Sequence, residues 1–82
     1  MTREEVYGRL VEVFHDVFDR EVRLSDNMTA ADVVGWDSLN HITLIGSIED
    51  EFDIKFTMKD IVSLKNVGDI VTRVIALCGA KV

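Results

Sequence analysis

The apolar residues of this chain recur at steps of three and four, the spacing that places side chains on one face of an α-helix. The first such stretch carries Val6, Leu10, Val13, Phe14, Val17 and Phe18. Thr2 and Glu5 have the spacing of a capping box in front of it. We therefore predict a first helix from Thr2 to Asp19.

The helical periodicity fails from Arg20 to Asp37, where residues typical of turns take its place. These turn residues are Ser25, Asp26, Asn27 and Gly35. A loop of this length is unusual in a small domain unless it serves a function. We expect it to pack onto the core through Met28, Val33 and Val34.

Helical spacing returns in a second helix, predicted from Asp37 or Ser38 to about Asp53. Its apolar positions are Leu39, Ile42, Ile45, Ile48 and Phe52, with Leu44 beside them. Thr57 and Asp60 predict a short capped helix from Met58 to Ser63.

Asn66 and Asp69 cap a predicted last helix, which Gly79 ends. One side of that helix carries Val67, Ile70, Val71, Val74, Ile75 and Cys78. The strand signature is weak throughout. The pattern therefore predicts one all-α domain over residues 1–82, a small four-helix bundle of three main helices and a short third helix. A long loop joins helices one and two.

The formal net charge of −6 argues against binding to nucleic acid or to an anionic membrane, because both are negatively charged. No stretch resembles a signal peptide or a membrane span, and there is no metal-binding spacing of Cys, His or acidic residues. The single cysteine, Cys78, excludes an internal disulfide and fits a small buried side chain. We expect a cytoplasmic monomer.

Ser38 stands where the loop meets the second helix, and two explanations of it remain open. A serine at a helix start commonly caps the first backbone N–H groups. Asp37 can do that capping itself, which leaves Ser38 as a candidate attachment point for a phosphate group at the helix N-terminus. Capping is the commoner explanation for such a serine.

The stretch Asp37-Ser38-Leu39, preceded by Gly35, resembles the attachment site of acyl carrier proteins. The helix that it opens ends in Glu49-Asp50-Glu51-Phe52, as in that family. The resemblance covers nearly the whole chain, including the long loop, the Phe52-to-Phe56 turn and the short third helix. It implies a discrete carrier of the phosphopantetheine-binding type.

The resemblance further implies that a phosphopantetheinyl transferase attaches 4'-phosphopantetheine from coenzyme A to Ser38, within the motif completed by Leu39. Asp37 would help place the transferase's magnesium ion. The terminal thiol of the arm would then carry an acyl group as a thioester. The protein would not be an enzyme. It would present its cargo to acyl-loading, condensing or modifying enzymes.

The resemblance also implies that the second helix is the main recognition surface for partners, with Glu49 and Asp50 meeting basic groups. Other members often carry acids where this chain has Asn40 and Thr43, and its third helix, with Met58, is less acidic than theirs. These differences indicate a specialised pathway that makes a polyketide, a hybrid peptide or an unusual lipid.

Two further positions depart from the family pattern, and each has two interpretations. Trp36 either packs on the arm or a partner, or anchors the loop on the bundle. Gly46, in the middle of the second helix, either admits a closely approaching partner or relieves crowding.

In fatty-acid carriers the acyl chain enters the bundle past positions that match Ile48, Phe56, Ile61, Leu64 and Ile70. Alanine is frequent in those relatives where Ile61 and Ile70 stand here. Because the larger side chains would fill the cavity, we expect a cargo that is short, polar or left exposed on the arm.

Three other functions are weighed against the acyl carrier. A peptidyl or aminoacyl carrier would use the same serine and the same helices. An unmodified helical interaction domain would explain the acidic charge but not the placement of Ser38. A serine enzyme would pair Ser38 with His41, but it would also need a third group that orients the base, and the sequence gives no second histidine nearby and no glycine-rich oxyanion loop.

Overall fold

The structure is a computed structural model that describes residues 2–80 of the 82. The described residues form four α-helices and no strand, which confirms the predicted all-α class. The helices are α1 (Arg3–Phe18), α2 (Ser38–Phe52), α3 (Met58–Ser63) and α4 (Val67–Ala80). Helix α1 packs against both α2 and α4. The connection from α1 to α2 contains one 3₁₀ turn, Ala30–Asp32, which the sequence did not predict.

Side-chain caps fix where the helices begin, and they are the caps that the sequence predicts. Capping boxes start α1 (Thr2 with Glu5) and α3 (Thr57 with Asp60), whereas Asp37 caps α2 and Asn66 caps α4. The backbone N–H of Thr2 donates to Glu5 at 2.9 Å, which lowers the pKa of that carboxyl group. Thr57 has the same effect on the pKa of Asp60.

A single apolar cluster joins the three long helices to the connection between α1 and α2. Its fully buried side chains are Val6, Leu10, Phe14, Leu44, Ile48, Val67, Ile70, Val71 and Val74. Burying each such side chain contributes roughly 1.5–3 kcal/mol, so this cluster is the main source of stability. Val22, Val33 and Trp36 extend it into the connection, and Met28 packs against it.

The apolar residues that keep helical spacing in α2 do not all face the core. Leu39 and Ile42 are 74% and 69% exposed. The buried side is formed by Leu44, Ile45, Ile48 and Phe52. The apolar residues of α2 are spread over more than half of the circumference of the helix. Spacing alone therefore allowed two stripes, and contact with α1 selects one of them.

Three smaller predictions also need correction. Val34 is exposed, because its neighbour Val33 is extended and turns its own side chain into the core. Gly79 does not end α4, which runs on to Ala80, since Gly79 lacks the left-handed backbone of a glycine cap. Cys78 is half-buried at the margin of the core.

Two backbone carbonyls of the connection cap the start of α4. The carbonyl of Met28 accepts from the N–H of Val67 at 2.9 Å, and that of Asp26 accepts from Gly68 at 3.0 Å. These bonds satisfy N–H groups that have no partner inside the helix. We call the segment from Asp26 to Met28 the loop tether.

The carboxylate of Asp26 fastens the loop tether to α1 as well. It accepts from the hydroxyl of Tyr7 and pairs with the guanidinium of Arg3 at 2.9 Å. The hydrogen bond from Tyr7, and then the charge and bond of Arg3, lower the pKa of Asp26. The tether therefore contacts two helices at once.

The close approach of the loop tether to α4 predicts opposite effects for two glycine substitutions. A Cβ at Gly68 would lie 3.1 Å from both the Cβ and the backbone oxygen of Asp26, whereas a Cβ at Gly8 would meet nothing within 4 Å. We expect Gly8→Ala to raise the free energy of unfolding by about 0.5–1 kcal/mol. The free energy of unfolding of Gly68→Ala should be lower than that of the Gly8→Ala control by at least about 1 kcal/mol.

Urea unfolding followed by circular dichroism measures both variants. Equal stabilisation by the two substitutions would show that the tether does not press against α4.

Candidate functional site

Ser38 is exposed at the first position of α2, and its hydroxyl forms no hydrogen bond with the described residues. The capping bond comes from Asp37, whose Oδ1 accepts from the N–H of Asn40 at 2.9 Å. Ser38 is therefore not the cap of this helix. Its hydroxyl faces solvent, where another protein can reach it.

Trp36 fixes the chain two residues before Ser38. Only 6% of its side chain is exposed, and its ring meets Phe14 edge-on with centroids 5.4 Å apart. Phe18 lies at 6.4 Å on the same aromatic cluster. This packing matches the interpretation of Trp36 as an anchor of the loop, and it leaves little of the ring for a partner to touch.

Backbone and side-chain bonds complete the turn between Trp36 and α2. Gly35 adopts φ +91°, a left-handed conformation that other residues rarely tolerate. Its carbonyl accepts from the side-chain amide of Asn40 at 2.6 Å. Asn40, predicted to meet partners, is thus half-buried and holds the turn in place.

His41 is hydrogen-bonded to Trp36. The indole N–H donates to His41 Nδ1 at 3.0 Å, so the neutral ring carries its hydrogen on Nε2. In a serine-enzyme triad the Nδ1–H of the histidine instead donates to a carboxylate that orients the ring, whereas here Nδ1 is an acceptor. The surroundings of His41 therefore do not match those of a catalytic base.

A pocket of about 410 Å³ opens beside Ser38. Its lining residues are Ala30, Trp36, Asp37, Ser38, His41, Leu64 and Lys65. Ala30 and Lys65 were not predicted to belong to the site, because they reach it only through the path of the loop and the α3–α4 junction. We call this cavity the arm pocket.

The predicted cargo positions lie in or against the core. Ile48 and Ile70 are fully buried, Phe56 and Leu64 nearly so, and Ile61 is half-buried. Leu64 is the one of these five that also lines the arm pocket. The expectation of a short, polar or exposed cargo stays a prediction.

The three acids at the end of α2 differ in what they contact. Glu49 accepts from the N–H of Phe56 at 2.8 Å, and Glu51 pairs with the Arg9 guanidinium at 2.7 Å. Arg9 also donates to the carbonyl of Glu51 at 2.6 Å, which offsets the unfavourable charge at this helix end. Asp50 is exposed and bonds to no described residue.

The remaining predicted recognition residues differ in exposure. Thr43 and Met58 are exposed. Gly46 is half-buried, and an added Cβ there would meet nothing within 4 Å, so the interpretation that it relieves crowding is wrong. Val62 on α3 is also exposed and was not singled out from the sequence.

Comparisons with known proteins identify the family of the chain. The family described as phosphopantetheine attachment site matches residues 8–74. The chain belongs to this family. Its fold is similar to the solution structure of a holo acyl carrier protein from Geobacter metallireducens, with a TM-score of 0.86 and 37% identity over 92% of this chain and 87% of that one.

A second similar structure is that of a protein from Mycobacterium tuberculosis assigned as an acyl carrier protein. The TM-score is 0.74 and the identity 31%, over 92% of this chain and 97% of that one. The chain is thus an acyl carrier protein, a carrier with no catalytic activity of its own. It bears covalent 4'-phosphopantetheine and works with phosphopantetheinyl transferases and biosynthetic enzymes. None of its described helices has the length and hydropathy needed to cross a bilayer.

Glu49 bonds to the backbone of Phe56 and Asp50 bonds to no described residue, so we expect their removal to lower the free energy of unfolding by different amounts. Glu49→Ala leaves the half-buried N–H of Phe56 without its acceptor, and we expect a loss of about 1–2 kcal/mol in the free energy of unfolding. Asp50→Ala is the matched control one residue away, and it should change stability by less than about 0.5 kcal/mol. Urea denaturation of both variants tests this, and similar small effects would mean that Glu49 is as available to partners as Asp50.

Proposed function

We propose that this protein carries acyl intermediates on a phosphopantetheine arm attached to Ser38, in a specialised biosynthetic pathway. The observation that carries the proposal is the exposed Ser38 hydroxyl, which has no bond to the described residues while Asp37 caps the helix. When bound, the arm supplies a thiol that holds the acyl group as a thioester. The residues of the chain fit this group because the serine opens onto both solvent and a pocket.

Asp37 has a second role in this proposal. Only its Oδ1 is used in capping, by the N–H of Asn40, so Oδ2 remains for the magnesium ion of a transferase. The same side chain would thus fix the first turn of α2 and help to place the hydroxyl that is modified. Trp36 and Gly35 hold the preceding turn rigid, which limits the orientations that Ser38 presents.

Tethering explains what the carrier contributes. A cargo on a flexible arm reaches the active site of a docked enzyme at an effective concentration on the order of millimolar, whatever its concentration in the cell. The carrier itself needs only a rigid attachment point and a surface that partners recognise.

We place that surface on the side of α2 that carries the exposed Leu39 and Ile42, which the half-buried Gly46 follows at helical spacing. Asp50, which bonds to no described residue, adds one negative charge in the last turn of α2. An apolar side with few available acids fits recognition by shape more than by charge. This is the basis for proposing a specialised pathway.

The attachment site is tested by intact-protein mass after incubation with coenzyme A, magnesium and a promiscuous transferase. We expect the wild type to gain one phosphopantetheinyl group and Ser38→Ala to gain none. Ser63→Ala is the control, because Ser63 is also exposed but lies at the end of α3. An unmodified wild type, with the transferase active on another carrier, would refute the proposal.

The recognition surface is tested by the kinetics of the same transferase reaction. Ile42→Ser should lower kcat/KM about tenfold, because it removes an apolar contact of the size seen at interface centres. Val34→Ser is the matched control, since Val34 is also 69% exposed but lies in the connection. Its kcat/KM should stay within about twofold of the wild type. Equal effects of the two changes would remove the case for α2.

A further inference from the structure

We propose that the arm pocket binds the proximal part of the chain's own phosphopantetheine arm, its phosphodiester and pantoyl unit, while no enzyme holds the arm. The inference rests on the proposed attachment at Ser38. It adds a resting position for the arm on the outside of the bundle, between the connection, the start of α2 and the α3–α4 junction. The occupant is therefore a group of the same molecule.

Reach and size support this occupant. Ser38 is itself part of the pocket wall, so the attached arm begins inside the cavity. The volume of about 410 Å³ falls within the range of roughly 300–1,000 Å³ typical of small-molecule sites. A tethered group needs little affinity to fill such a site, because its local concentration is already high.

The apolar walls match the pantoyl unit, which carries two geminal methyl groups. Leu64, Ala30 and Trp36 line the pocket. Trp36 is held by the core and Leu64 is nearly buried, so this part of the wall is preformed. Binding therefore requires little ordering of the protein.

The polar walls match a phosphodiester. The bond from Trp36 to His41 Nδ1 leaves the hydrogen of the neutral imidazole on Nε2, where it is available as a donor. Lys65 forms no ion pair with the described residues, and its backbone N–H is already used by Asp69 at 3.1 Å. Among the residues that line the pocket, Lys65 thus supplies an ammonium group that is not paired with a carboxylate of the described residues.

Asp37 places an opposing charge on the same wall. Its carboxylate already accepts from the N–H of Asn40, and Lys65 offsets its repulsion of the phosphodiester. The net attraction is that of an exposed charge pair, which is weak and screened by salt. Weak docking suits an arm that must leave the pocket whenever an enzyme takes it.

The test uses the intact holo-protein with a ¹³C-labelled arm, after mass measurement has confirmed attachment. Trp36 is the single tryptophan of the chain, so its indole signals are assigned without ambiguity. We expect nuclear Overhauser effects (NOEs) between the pantoyl methyls and the Trp36 indole. Lys65→Ala should weaken them at least twofold, as should raised salt, whereas Lys55→Ala, an exposed lysine outside the pocket, should leave them unchanged.

Two results would overturn the inference. One is an attached arm that shows no such NOEs in the wild type at low salt. The other is an equal loss in Lys65→Ala and Lys55→Ala, which would show a general effect of charge. Failure of attachment at Ser38 would instead refute the proposed function, and mass measurement separates that outcome from the other two.

Discussion

The site depends on one constraint, which is that the irregular connection from α1 to α2 must end at a fixed point. Burial of Trp36 against Phe14 and Phe18 supplies that point, because a large aromatic ring in a packed core has few alternative positions. Everything after it follows over short distances. Gly35, with its left-handed backbone, directly precedes Trp36 in the chain. Asp37, which caps α2, and the exposed Ser38 directly follow it.

The acidic character of the protein says less about its partners than the sequence suggests. Glu49 closes the turn to Phe56, Glu51 is held by Arg9, and Asp26 fastens the loop tether. Each of these acids contributes to the fold, which leaves fewer charges for recognition than the net charge of −6 implies. The side of α2 beside the serine exposes the apolar side chains of Leu39 and Ile42 instead.

The elements and their starts were predictable from the sequence because caps and helical periodicity are local signals. Asp37 and the two capping boxes are recognised within four residues of sequence. The exposure of Leu39 and Ile42 was not predictable, since α2 has two apolar stripes and only its packing on α1 selects one. The carbonyl caps from Asp26 and Met28 leave no mark in the sequence, because every residue has a carbonyl. Lys65 was missed for a related reason, since only the folded chain brings it to Ser38.

The carbonyl caps of α4 make the last helix depend on the connection between α1 and α2. Asp26 and Met28 bond to residues about 40 positions away, so only the folded chain joins the two segments. The N–H groups of Val67 and Gly68 would lose their acceptors if the connection left its place. A change in the connection that leads to the serine therefore also weakens the start of the last helix.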